Sequence, residues 1–156
     1  MINARAESVA EKPAFRKSFT SKRCLIPASG FFEWKKEGKV KQPYFIRFKS
    51  AKPMWFAGLY DEWTSTEDAE VVESFTIITT QANETLTPLH DRMPALLTEE
   101  SFDFWLNPEN RDIENLTSLL QPWPDHDISF YKVSESVNTP KNQGPDLVEP
   151  LPDLFG

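Results

Sequence analysis

Strand-forming residues crowd the first 83 positions of this chain, and turn formers cut them into short lengths. "SFTIITTQAN" (residues 74–83) is the clearest example, because Phe75, Ile77, Ile78 and the threonines favour a pleated surface. "PYFIRF" (43–48) and "PMWFAGLYDEW" (53–63) are aromatic-rich strands bounded by prolines. "RCLIPASGFFEWKK" (23–36) reads as two short strands around a Ser29-Gly30 turn, and "KEGKVKQ" (36–42) as a hairpin connection centred on Gly38. "TSTEDAEVVE" (64–73) reads as a polar, acidic loop.

The rhythm changes after residue 97. "TEESFDFWL" (98–106) predicts a short helix with Thr98 as N-cap, two glutamates in its first turn, and Asn107-Pro108 as its stop. "DIENLTSLL" (112–120) repeats apolar residues at helical spacing, so Ile113, Leu116, Leu119 and Leu120 should face a core. "ISFYKV" (128–133) is a last strand, and the Pro-, Asn- and Gly-rich tail from Pro140 should run extended over the surface. At the other end, residues 3–12 predict a helix with Asn3 at its cap, stopping before Pro13. "AFRKSFTSK" (14–22) is either a second short helix or an irregular basic segment. Strands first, then helices, then one strand is an α+β order, built on a mostly antiparallel mixed sheet or partial barrel with short flanking helices.

With 156 residues, 39% hydrophobic and 13% aromatic, the chain suits one domain with one core. A single cysteine, Cys24, excludes an internal disulfide and a Cys-rich zinc site, and fits a reducing compartment. No apolar run approaches the roughly 20 residues of a membrane span, no secretory h-region opens the chain, and no long repeat recurs. The net charge of −7 speaks against generic nucleic-acid binding, but it is unevenly spread. Residues 1–52 hold 13 Lys and Arg against 4 Asp and Glu, whereas residues 53–156 hold 4 against 20. The basic third makes either a one-sided cationic surface or a set of ordinary solvated lysines.

Few side chains offer chemistry. His90, in "LHDRMPALL" (89–97), is either a general acid–base group or a histidine held structurally in a loop. Arg92, two positions on, can grip a phosphate bidentately, and Pro94 stiffens the segment. Glu33, in "FFEW", points away from the face of Phe32 and Trp34. Facing water it is merely solvated; lining a pocket it is desolvated into a proton donor. Asn3 and Arg5 are either an anion-attracting pair or a plain cap with a surface arginine. Cys24 sits beside Leu25 and Ile26 as a small apolar residue and takes no role. His90-Asp91 and His126-Asp127 lack metal-ligand spacing.

Four stretches together resemble one family. They are "NARAE" (3–7), "RCLIPASGFFEW" (23–34), "SFTIITTQAN" and "LHDRMPALL", and the closing "VNTPKNQGPDLVEP" (137–150) also fits. The family is SRAP, the SOS-response-associated peptidase domain. The resemblance implies a single domain over residues 1–156, DNA repair, and recognition of abasic sites in single-stranded DNA without a cofactor or membrane. It implies a cytoplasmic, nucleoid-associated location. In the family an N-terminal cysteine captures the ring-opened sugar as a thiazolidine crosslink, with peptidase activity directed at its own initiator methionine and lyase-type activity besides. By resemblance Asn3 orients the reacting group, Glu33 is the acid–base, His90 handles the open sugar, and Arg5 and Arg92 hold DNA phosphates. All five should meet in one cationic hollow.

The sequence departs from that pattern at residue 2, which is Ile2 rather than cysteine. The family carries a further segment before "NARAE", so the expectation is a chain without the crosslinking nucleophile. That segment should also supply strands to the sheet, and its loss predicts self-association through exposed sheet edges. The rival expectation is a module that binds single-stranded DNA without chemistry.

Overall fold

The structure, a computed structural model, describes residues 2–152. In chain order its strands are β1 (Ile2–Arg5), β2 (Arg23–Ala28), β3 (Phe31–Glu37), β4 (Val40–Phe48), β5 (Met54–Thr64), β6 (Val71–Gln81), β7 (Arg92–Pro94) and β8 (Ile128–Lys132). Its helices are α1 (Arg16–Ser21), α2 (Phe102–Leu106) and α3 (Ile113–Ser118). One sheet runs β1-β6-β5-β2, with β7 also paired to β6, and the other runs β3-β4-β8. Every pairing is antiparallel except β1 with β6. The fold is therefore α+β with mixed sheets, and the two sheets do not close into a barrel.

Alternation along the central strands divides the interior in two. Ala57 and Leu59 of β5, Ile78 of β6 and Ala4 of β1 face the helices, where they meet Phe19 of α1, Trp105 of α2 and Leu116 of α3. Met54 and Phe56, on the opposite face of β5, meet Tyr44 and Ile46 of β4 and Ile128 of β8. Trp105, Phe19, Ile46 and Met54 are fully buried, each contributing roughly 1.5–3 kcal/mol by leaving water. One interior thus lies between sheet and helices, and the other between the two sheets.

The strands expected on either side of Ser29-Gly30 both form, but they do not pair with each other. β2 joins β5 and β3 joins β4, so the turn carries the chain from one sheet to the other. A Cβ at Gly30 would lie 2.3 Å from the Ile46 carbonyl oxygen and 2.5 Å from the Phe45 ring, so only glycine fits this close passage. The β3–β4 hairpin turns at Gly38, whose φ is 63°.

Several local expectations are corrected. Residues 3–12 are not a helix. Asn3 lies in β1, opposite Ile77, and turns follow it. Parallel pairing with β6, together with burial of Ala4, Ala6 and Val9, outweighs the helix-forming composition. The acidic loop is shorter than expected, because β5 extends to Thr64 and β6 starts at Val71. Thr98 makes no side-chain cap bond; instead its carbonyl accepts from Ser101 Oγ at 2.7 Å. Ile113, at the first turn of α3, is 38% exposed, while Leu116 and Leu120 are buried as expected. The described part of the tail lies along β8: the Leu151 amide donates to the Lys132 carbonyl at 3.0 Å, and the Tyr131 hydroxyl to the Val148 carbonyl at 2.5 Å.

Arg23 ties the helical layer to the sheet. It is 5% exposed and donates to the carbonyls of Phe19, Thr20, Trp105, Asn107 and Asn110 at 2.6–3.0 Å. These carbonyls lie at the ends of α1 and α2, where helices leave oxygens unpaired.

Candidate functional site

The turn at Gly30 sets β3 at the edge of the small sheet, and Glu33 projects from it opposite Tyr44. His90 comes from the larger sheet's side, in the connection between β6 and β7. Asn83 shapes that connection: its Oδ1 accepts from the Leu86 amide at 3.0 Å, and its Nδ2 donates to the Trp123 carbonyl at 2.8 Å. The His90 amide then bonds back to the Leu86 carbonyl at 3.0 Å.

The two side chains meet. His90 Nδ1 lies 4.0 Å from Glu33 Oε2 and 3.3 Å from Asp91 Oδ1. The Arg92 backbone N–H donates to the same nitrogen at 3.1 Å. The Arg92 carbonyl oxygen lies 3.4 Å from the same nitrogen, so the Arg92 backbone fixes the orientation of the ring. Glu33 is one-quarter exposed, and burial raises its carboxyl above the ordinary carboxylate range. The nearby imidazole and the Trp34 amide pull it back down, and Asp91 pushes it up. Such a carboxyl holds its proton longer than a solvated one and can deliver it to a bound oxygen.

Together with Trp34, Lys41 and Asn138 the pair lines an open pocket of about 460 Å³. Lys41 and Asn138 had no role in the sequence reading. Asn138 is reached only because the chain after β8 folds back, bringing its Oδ1 to the Trp34 indole N–H at 2.6 Å. Motif spacing carries no trace of that contact, 104 residues apart. A larger groove of about 640 Å³ lies elsewhere, between Phe48, Trp55 and Trp123, with no acid–imidazole pair in it.

Asn3, Arg5 and Arg92 do not line the Glu33–His90 pocket. Asn3 is exposed on β1, on the face it shares with Ile77, which is the face turned toward the small sheet. Arg5 is two-thirds exposed. Arg92 is different: its guanidinium is 14% exposed and forks onto Glu7, with Nη1–Oε1 and Nη2–Oε2 both 2.9 Å. Nη2 also donates to the Thr79 carbonyl at 2.8 Å. The two groups adjoin through Arg92, whose side chain faces β1 and whose amide holds His90. Glu7 was missed although it ends the "NARAE" stretch; its partner is 85 residues away.

Cys24 is half-buried on β2, and burial alone pushes its thiol up, which makes it a poor nucleophile. His126 is exposed and contacts only Asp127, at 3.4 Å, among its ion-pair partners. Among the described residues no group of three or more His, Cys, Asp or Glu is placed to hold a metal ion. No helix there is long and apolar enough to cross a membrane.

Residues 1–140 match the family model described as SOS response associated peptidase (SRAP). The chain belongs to this family. It is 51% identical over 150 residues to the abasic site processing protein YoqW of Bacillus subtilis (strain 168), covering 96% of this chain and 66% of that protein. It is 34% identical over 152 residues to the abasic site processing protein YedK of Escherichia coli (strain K12), covering 97% of this chain and 68% of that protein. A crystal structure of a protein from Bacteroides thetaiotaomicron superposes with a TM-score of 0.87 at 37% identity, over 96% of this chain and 65% of that one. The SRAP chain described here thus spans about two thirds of the length of such relatives.

Proposed function

We propose that this SRAP domain serves DNA repair by recognising abasic sites in single-stranded DNA. The observation that carries the reading is the Glu33–His90 pair: a carboxyl raised by burial against an imidazole, at the mouth of an open pocket. The chain around it is half identical to a protein named for abasic site processing.

An abasic sugar opens to an aldehyde, and reactions at that carbon need a proton donor at the departing or developing oxygen. Glu33 supplies the proton. His90, held by the Arg92 amide, contacts the opened sugar. Asn3 orients the reacting group from β1. Arg5 and the lysines of the β3–β4 hairpin, including Lys41 at the pocket, neutralise flanking phosphates. Single strands are preferred because only an unstacked strand can bend its sugar into an edge pocket.

The test is binding to three labelled oligonucleotides: a single strand with one abasic site, the same strand intact, and the abasic duplex. The expected order of affinity is abasic single strand, then intact strand, then duplex, with a steep loss on adding salt. Glu33→Gln should keep its affinity for the intact strand and lose the preference for the abasic one, because the carboxyl proton offered to the open sugar is gone. Equal affinity for all three, unaffected by Glu33→Gln, would replace this reading with a non-catalytic binding module. No binding at low salt rejects both.

A further inference from the structure

Glu7 stands between the two arginines expected to meet DNA. Its carboxylate fills the Arg92 fork with two 2.9 Å bonds, and its Oε2 lies 4.0 Å from Arg5 Nε. Carboxylate and phosphate present the same paired oxygens to a guanidinium, so what fits one fits the other. The arrangement is layered: Arg92 lies beneath at 14% side-chain exposure, Glu7 covers it at 48%, and Arg5 lies outermost at 66%. Glu7 is therefore the group an incoming anion meets on the way to Arg92. The clasp is made end-on by the two Nη groups and leaves Arg92 Nε buried without a hydrogen-bond partner.

We propose that Glu7 sets the phosphate affinity of this edge as an internal anion: it occupies the Arg92 fork and partly neutralises Arg5, so a nucleic-acid phosphate binds there in competition with it. The inference rests on the reading that this edge meets DNA, and adds which residue limits the contact. In the resting chain Arg5 is the open cation and Arg92 the reserve. Engaging the reserve displaces Glu7 from the side chain of the same residue whose backbone amide holds His90.

The experiment compares wild type with Glu7→Gln on a 5′-labelled oligothymidylate in a salt series, with a melting curve to confirm folding. Removing the competing charge should tighten binding roughly three- to tenfold at low salt, a difference of up to about 1.4 kcal/mol. It should also steepen the log–log salt slope by about 0.7, the value for one further phosphate on a single strand. Equal or weaker binding by folded Glu7→Gln overturns the inference and makes Glu7 a buttress of Arg92, while wild-type binding leaves the DNA reading standing. Binding by neither protein overturns both. A second measurement needs no variant. In wild type the Arg92 Nε–H proton resonance should move as the oligonucleotide is titrated in; a fixed resonance alongside shifts elsewhere counts against displacement.

Discussion

Glu33 works against the fold that holds it. A carboxyl raised by burial keeps its proton in the folded chain at pH values where the unfolded chain has lost it. Its contribution to stability is therefore fully present below the ordinary carboxylate range and is lost as pH rises through the folded value. Glu33→Gln cannot ionise and escapes that loss. It should match wild type in acid and exceed it at neutral pH, the direction of a stability–activity trade-off. Urea unfolding at both pH values checks this, and a variant weaker than wild type at neutral pH would show that the carboxylate is well paired. The sequence offered two readings of Glu33, solvated or pocket-lining, and its alternation with Phe32 and Trp34 could not choose. The choice depends on the Asn83-shaped connection that brings His90 across from the other sheet. Arg92 shows the same limit in reverse: its chemistry suggested a phosphate ligand, and only the folded chain shows Glu7 already in the fork.

At the level of elements, α1 and α2 are too short to persist alone and depend on what holds their ends. Arg23 does this with five carbonyl bonds, in a planar fork that no ammonium reproduces. Arg23→Lys keeps the charge but has three donors for five acceptors. It should cost on the order of 3 kcal/mol by leaving buried carbonyls unpaired, read as a lower midpoint in thermal or denaturant unfolding. A loss under about 0.5 kcal/mol, the range of an ordinary surface change, would mean the helix ends are held by core packing rather than by the guanidinium. The strands were legible because β-branched and aromatic runs between turn formers need little context. β1 was not legible. Its four residues are helix-compatible in isolation and become a strand only because β6 offers an edge 74 residues later.

Over the whole molecule, the charge asymmetry of the sequence does not form one basic face. Arg16, Lys17 and Lys22 belong to the helical layer around α1, and Lys36, Lys39 and Lys41 to the β3–β4 hairpin of the other sheet. The acidic residues Glu67, Asp68, Glu70 and Glu73 gather where β5 turns into β6. That end also carries exposed apolar side chains. Among the described residues, β1 and β7 cover the outer edge of β6 only from Thr76 to Gln81, and beyond it Phe75 is 46% and Val71 65% exposed. Such an edge invites a second strand, and we propose that it mediates weak self-association, opposed by the nearby glutamates. Sedimentation velocity should show reversible dimers growing with concentration and with salt, and Phe75→Lys should remove them. A monomer at every concentration and salt tested rejects the idea.

Because the acid and the imidazole ride on different sheets, the distance between them is a gauge of how those layers sit. Met54 and Phe56 form the bearing on which the layers rest. A methyl group lost in that seam, far from any solvent-facing chemistry, would be felt as a change of reach between proton donor and partner.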